Sequence, residues 1–296
     1  MWKEKFIKYL RYEKNYSSHT EISYMNDLTQ FEHFIEKENG TFTPQSIDSD
    51  LIRVWVSELM EKGCTAQSVN RKLSTLRTFF KYLKKQKVIT NNPTDLISGP
   101  KTGKKLPTFV KDAEISEILD TPLIVTDTFE GARDHFILEL LYLTGMRRSE
   151  LIQLKDTDID TGNCTLRVTG KGNKQRLIPF STNTLQKLND YLQIRDTEIK
   201  NKSAFLFVKK NGDPLYAKLV YNIIRKHLAH VHTLSKKSPH ILRHSFATEM
   251  LNNGAEINAV KELLGHASLA STEVYTHVTF EELKKTYKNA HPRAKN

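Results

Sequence analysis

The chain reads as a mainly α-helical protein in two domains, with one small β-sheet in the second. Three observations predict this. Apolar residues repeat at three- and four-residue spacing through long stretches of both halves. One stretch, residues 165–179, instead looks like a hairpin about a glycine-rich turn. Between the halves, Ser98-Gly99-Pro100-Lys101-Thr102-Gly103-Lys104-Lys105-Leu106-Pro107 interrupts the periodicity with glycine and proline. At 296 residues the chain is long enough for two cores.

The first domain is taken as residues 1–97. Asp48 to Asp50 offer N-caps for an amphipathic run of Leu51, Ile52, Val54, Trp55, Val56, Leu59 and Met60, which ends near Gly63. Val69, Leu73, Leu76, Phe79, Phe80 and Leu83 mark the next helix. Arg71, Lys72, Arg77, Lys81, Lys84 and Lys85 decorate the rest of it. Such charges commonly form a solvated face; Arg71, Lys72 and Arg77 are the candidates for contact with a polyanion. Asn91-Asn92-Pro93 closes this part. The linker, residues 98–107, carries Lys101, Lys104 and Lys105 and no acid, as suits either a solvated hinge or a segment crossing a phosphate backbone.

The second domain is taken as residues 108–296. It opens with a helix from Lys111 to Asp120 and a longer apolar one from Phe129 to Leu143, with Phe136, Ile137, Leu140, Leu141 and Leu143 as core. Thr165-Leu166-Arg167-Val168 and Arg176-Leu177-Ile178-Pro179 flank Gly170-Lys171-Gly172-Asn173 as hairpin strands. Helices resume at Thr184 to Arg195, at Ala217 to His230 and through most of the remainder.

Lys plus Arg is 45 and Asp plus Glu is 34, a net charge of +11 that suits either a nucleic-acid partner or a basic surface of solvated lysines. The two cysteines, Cys64 and Cys164, form no disulfide framework and no zinc-knuckle spacing, which fits a reducing compartment. No stretch approaches a membrane span, and Met1-Trp2-Lys3-Glu4-Lys5 begins charged, without a signal-peptide core. A cytoplasmic protein is expected.

Five fragments of the second half hold chemistry-bearing residues. They are Thr144-Gly145-Met146-Arg147-Arg148-Ser149-Glu150-Leu151, Gly170-Lys171-Gly172-Asn173-Lys174, His240-Ile241-Leu242-Arg243-His244, Gly265-His266 and Val274-Tyr275-Thr276-His277. Alone, four of them have a plain reading: a surface ion pair of Arg147 with Glu150, a solvated hairpin lysine, a helix-terminal histidine, a packing tyrosine. Together they supply planar forks for phosphate oxygens, a mobile cation and a nucleophile. A phosphodiester gains charge on its nonbridging oxygens in the transition state, so fixed donors aimed there do most of the catalysis. Arg147 and Arg243 suit those oxygens, with Glu150 orienting Arg147 and His266 as a further donor. Lys171 suits protonation of the leaving oxygen, with Lys174 near enough in sequence to be confused with it. Tyr275 is the candidate nucleophile, and surrounding cations would lower its hydroxyl pKa. His240 would handle its proton. His240 and His244 also stand at metal-ligand spacing; the missing His-Glu-x-x-His pattern and the intervening Arg243 weigh against a metal. No metal or other cofactor is expected.

The set resembles the tyrosine recombinases, and within them most closely the Xer group of chromosomal recombinases. The resemblance rests on Arg147 in Thr-Gly-Met-Arg-Arg-Ser-Glu-Leu, Lys171 in Gly-Lys-Gly-Asn-Lys, His240 and Arg243 in Pro-His-Ile-Leu-Arg-His-Ser-Phe-Ala-Thr, His266 in Leu-Leu-Gly-His-Ala-Ser and Tyr275 in Val-Tyr-Thr-His. Met146 stands where leucine is common in the family, and residues 121–130 look slightly long. The resemblance implies a helical core-binding domain and an α-rich catalytic domain forming a C-shaped clamp on double-stranded DNA. It implies a homo- or hetero-tetramer on two sites, exchange through a 3′-phosphotyrosine and a Holliday junction, and a C-terminal segment, residues 281–296, that docks into a neighbouring protomer through Leu283 and Tyr287. Because the helical domain begins almost at Met1, with no room for an arm-binding domain, resolution of chromosome dimers at a dif-like site is the expected role. A related partner recombinase and a DNA translocase of the FtsK type would assist. A mobile-element integrase, a phase-variation invertase, a type IB topoisomerase and a non-cutting DNA-binding protein are the alternatives.

Overall fold

The computed structural model describes residues 2–103, 109–110, 112–120, 128–231, 233–234, 236–265 and 279–294, the side chains of Asn39, Ala113 and Lys171 excepted. The chain divides into two compact units, Met1–Lys105 and Leu106–Asn296. Among the described residues no helix is long and apolar enough to cross a membrane.

The first unit contains α1 (Trp2–Tyr12), α2 (Ser18–Asn39), α3 (Ser49–Glu61) and α4 (Ala66–Lys85). Ser17, Asp48 and Thr65 cap α2, α3 and α4 by accepting from amides of the first turn. The six apolar residues that mark α4 in the sequence are all fully buried, against Phe6 and Leu10 of α1, Phe31 and Ile35 of α2, and Ile52 and Trp55 of α3. Aromatic rings meet edge-on in this core, Phe31 and Trp55 with centroids 4.9 Å apart.

Two expectations change here. Val54 and Met60 were counted in the apolar run of α3, yet they are 50% and 41% exposed. At 3.6 residues per turn both lie about 100° or more from the Ile52–Trp55–Leu59 stripe. Lys72 was placed on the polar face of α4, yet it is only 6% exposed. Its ammonium donates to Asp27 Oδ1 at 3.2 Å and to Gln30. Arg71 donates to the same carboxylate, Nη2 to Oδ1 at 2.8 Å, and the Thr75 hydroxyl reaches Oδ2 at 2.9 Å. A buried aspartate on α2 thus claims the cations that α4 turns toward it. Arg77 keeps its body exposed but donates Nη2 to the carbonyl of Ile97 at 2.7 Å. Lys101 is exposed, and Lys104 and Lys105 lie outside the described residues.

The second unit contains α5 (Asp112–Asp120), α6 (Phe129–Thr144), α7 (Arg148–Gln153), β1 (Ile159–Asp160), β2 (Thr165–Thr169), β3 (Gln175–Pro179), α8 (Thr182–Glu198), α9 (Ala217–His227), α10 (Pro239–Asn252), α11 (Ile257–Leu264) and α12 (Phe280–Ala290). Every residue of α6 from Phe136 to Thr144 is buried, because α8, α9 and α10 pack around it. A helix that is apolar all round belongs in an interior. The strands form an antiparallel sheet in the order β1-β2-β3, with Leu166 opposite Ile178 and Val168 opposite Arg176. β1, absent from the sequence reading, is two residues long and too short to show a period. The hairpin tip, Lys171–Asn173, is a tight turn with Gly172 and Asn173 at φ 73° and 60°.

The C-terminal segment also departs from expectation. Leu283 and Tyr287 of α12, read as a stripe offered to a neighbouring protomer, are 5% and 2% exposed within their own unit. They share a core cluster with Phe246, Met250, Leu263 and Leu264. Both apolar positions complete this chain's own packing.

Candidate catalytic site

The site begins where α6 ends. Gly145 caps that helix in the left-handed conformation, φ 58°, and donates its amide to the carbonyl of Leu141 at 3.1 Å. A Cβ here would also lie 2.6 Å from Phe246 and 2.8 Å from Leu264, so the turn is closed to any larger residue on two counts. Past buried Met146 the chain enters α7 with Arg147 at the N-cap. Glu150 reaches back, accepting from the Arg147 amide at Oε2 (2.7 Å) and from Arg147 Nη1 at Oε1 (2.8 Å). The carboxylate that starts the helix is therefore the one that orients the guanidinium, as the three-residue spacing in the sequence implied.

Arg243 arrives from α10, one turn past Pro239. Its Nη1 donates to the carbonyl of Gly145 and its Nη2 to that of Leu264, both at 2.7 Å. Arg147 Nη2 donates to the carbonyl of Gly265 at 3.3 Å. Arg176, from β3, donates Nε to the carbonyl of Leu263 at 2.7 Å. Three successive carbonyls at the end of α11 thus each hold a different arginine. A helix leaves its last carbonyls unpaired and its C-terminus partly negative, so this end is a natural seat for cations. Gly265, φ 64°, turns the chain there in the left-handed region.

Arg176 is the residue the sequence reading missed, since it named Arg176 only as the start of a strand. It donates Nη1 to Glu150 Oε1 at 3.0 Å and Nη2 to Glu150 Oε2 at 2.9 Å. Its place on the same strand face as Ile178 hints at an inward arginine that needs a buried acid, but says nothing of which one.

The electrostatics follow from the charge count. Among the described residues Arg147, Arg176 and Arg243 face one carboxylate, Glu150, a surplus of two positive charges. Burial raises the Glu150 carboxyl, but bonds from Arg176 and Arg147 outweigh it, and its pKa lies below the ordinary glutamate value. Burial first, then repulsion from Arg147, pulls Arg243 down to about 10. An anion entering here would relieve that repulsion.

His240 is exposed on the first turn of α10, three residues before Arg243 on the same helix. His244 is half-buried one turn further on. Among the described residues no group of His, Cys, Asp or Glu side chains is placed to hold a metal ion. His266, Tyr275 and the side chain of Lys171 lie outside the described residues. The structure therefore brings Arg147, Glu150 and Arg243 together, adds Arg176, and places the backbone of Lys171 at the tip of the hairpin to which Arg176 belongs.

The comparisons with known proteins agree with this geometry. The model of the phage integrase family matches residues 108–282, and that of the phage integrase N-terminal SAM-like domain matches residues 4–87. The tyrosine recombinase XerC of Bacillus licheniformis is 40% identical over 98% of this chain and 95% of its own. The XerC of Chlorobaculum parvum is 36% identical over 99% and 95%. Among solved structures, XerH site-specific recombinase bound to a palindromic difH substrate in a post-cleavage complex superposes with a TM-score of 0.74 at 25% identity, covering 97% of this chain and 84% of that one. The Tn1549 transposon integrase in complex with circular intermediate DNA shares the fold, with a TM-score of 0.71 at 22% identity over 96% and 98% of the two chains. The chain belongs to the phage integrase family: it is a site-specific tyrosine recombinase, an enzyme that cuts and rejoins DNA.

Proposed function

We propose that Arg147 and Arg243, seated at the end of α11, bind the scissile phosphodiester of double-stranded DNA, and that Tyr275 attacks it to form a 3′-phosphotyrosine. The observation that carries this reading is the surplus, among the described residues, of two positive charges around one carboxylate, held on helix ends. Arg147 and Arg243 take the nonbridging oxygens, where charge develops, and cost no reorganisation when it does. Glu150 fixes the plane of Arg147. His266 adds a donor, His240 takes the tyrosine proton, and Lys171 protonates the departing 5′ oxygen. The bond energy is kept in the phosphotyrosine, so neither a metal nor ATP is required.

In this reading residues 1–97 form the core-binding domain, 98–107 the linker and 108–296 the catalytic domain. Arg71, Arg77, Lys101, Lys104 and Lys105 contribute to the phosphate contacts that make binding salt-dependent. Four protomers, of this chain alone or with a related recombinase, exchange strands through a Holliday junction. The XerC relatives favour a cytoplasmic enzyme resolving chromosome dimers at a dif-like site, assisted by a DNA translocase.

The test is covalent trapping in the presence of EDTA. Purified protein is incubated with nicked suicide duplexes, drawn from dif-like sequences and a pooled site library, and resolved on a denaturing gel. A DNA-linked band that vanishes in Tyr275→Phe, with duplex binding retained, is the expected result. Cleavage retained by Tyr275→Phe, or lost to EDTA, overturns the reading.

A further inference from the structure

We infer that Arg176 is a positioning residue for strand cleavage: it holds Glu150, and through Glu150 the guanidinium of Arg147, and it ties the hairpin carrying Lys171 to the end of α11. This rests on the reading of Arg147 as a phosphate-binding group.

The geometry separates Arg176 from the other two arginines. Both its terminal nitrogens go to Glu150 and its Nε goes to the carbonyl of Leu263. Its side chain is 11% exposed, against 33% for Arg147, and Glu150 is 2% exposed between them. Arg176 thus spends all three guanidinium nitrogens inside the protein, which leaves it a poor phosphate ligand and a good brace. A fork-on-fork pair fixes the plane of a carboxylate as well as its charge. With both Glu150 oxygens fixed by Arg176, Arg147 Nη1 has one place to bond, at Oε1.

The surroundings leave little slack. A Cβ on Gly170 would lie 3.3 Å from Glu150 Oε1, and one on Gly265 would lie 3.1 Å from Arg176 Nη1. Gly170 precedes Lys171 at the hairpin tip, and its amide closes that tip on the carbonyl of Lys174 at 2.8 Å. Arg176 stands two residues past Lys174. One side chain therefore connects three segments: β3 with its tip, the N-terminus of α7, and the C-terminus of α11. Removing it would leave Glu150 hydrogen-bonded, among the described residues, to Arg147 alone and free to rotate, and a small misplacement of a catalytic group is enough to cost about 100-fold in rate.

The experiment compares wild type, Arg176→Ala, Arg176→Lys, Glu150→Gln and the Arg176→Ala/Glu150→Gln double variant. Covalent-complex rate, duplex affinity and thermal midpoint are measured for each. Arg176→Ala is expected to cleave about 100-fold slower, with affinity within about threefold because binding is spread over many phosphates. Arg176→Lys keeps the cation without the fork and is expected to recover only part of the loss. It is also the variant that keeps the test alive should Arg176→Ala fail to fold. The double variant is expected to be no slower than the worse single one, since the two residues act through one another.

A second measurement needs no activity. The guanidinium NMR signals of Arg147 should broaden in Arg176→Ala while those of Arg243 persist. Full recovery by Arg176→Lys, an additive double variant, or unchanged Arg147 signals would each overturn the proposal. Failure of the wild type to form a Tyr275-dependent complex would instead overturn the catalytic reading, with the NMR result still deciding whether Arg176 braces Arg147.

Discussion

Asp27 in the first unit and Glu150 in the second are each a buried carboxylate held by two basic side chains, and the two arrangements end differently. In the first unit Asp27 is 1% exposed, bonded by Arg71, Lys72 and Thr75. In the second, Glu150 is also buried, bonded by Arg147 and Arg176. The first network joins α2 to α4, and Lys72 within it is almost fully enclosed. The second has a further arginine, Arg243, and three helix-end carbonyls as additional seats. Its surplus charge faces a half-exposed site. A basic residue is therefore part of the scaffold or part of a binding site according to how many acceptors surround it, which the local sequence does not disclose.

The sharpest way to break this comparison is to remove a cation from each side. Arg243→Ala is expected to slow covalent-complex formation by about 10³-fold, the cost of losing one preorganised donor to a developing negative charge. Duplex affinity should fall far less. Suicide-substrate kinetics beside a gel-shift titration check this, and an equal loss of rate and affinity would contradict the role. Lys72→Met in the first unit, read in the same assays, should leave the cleavage rate of the folded protein unchanged.

Removing the carboxylates should separate the units next. Asp27→Ala leaves Lys72 buried without a counter-charge, and breaking such a pair costs on the order of 3 kcal/mol. Denaturant unfolding should show this loss in the first unit. Glu150→Gln keeps a hydrogen-bonding group among the arginines, so its loss should fall on cleavage rate more than on the unfolding midpoint. A variant pair with these effects reversed would remove the distinction drawn here.

Much of this was legible beforehand, for identifiable reasons. The α4 stripe from Val69 to Leu83 and the α6 core were visible because periodic burial writes itself into residue type. The pairing of Arg147 with Glu150 was visible because it is local, a helix-start contact three residues long. Arg176 was not, because its partners lie 26 and 87 positions away. Lys72 was misplaced for the same reason: Asp27 is 45 residues distant, and nothing in the basic face of α4 announces it. The inward packing of Leu283 and Tyr287 was equally hidden, since a two-residue stripe fits a neighbour or its own chain alike.

Acid offers the mildest separation of the two units. His291, at the end of α12, is fully buried among Tyr142, Phe246 and Tyr287, and the amide of Arg293 donates to its Nδ1. Burial, and then the charge of Arg293, lowers its pKa from 6.5 to about 3. The unfolded chain therefore binds a proton that the folded one refuses between those values. Stability is full above pH 6.5 and drains as pH falls toward 3, by roughly 2 kcal/mol at pH 5 from this residue. The depressed Glu150 acts in the same direction once pH falls below its ordinary value of 4.5. In the first unit both histidines, His19 and His33, are exposed. Both tryptophans, Trp2 and Trp55, belong to the first unit. In an acid titration the far-UV signal should thus begin to fall while tryptophan fluorescence still reports a folded first unit. His291→Phe, which keeps the aromatic packing and removes the titrating group, should move that first loss to lower pH. Coincident transitions by both probes, unmoved by His291→Phe, would show that the units unfold together and that this histidine does not set their acid limit.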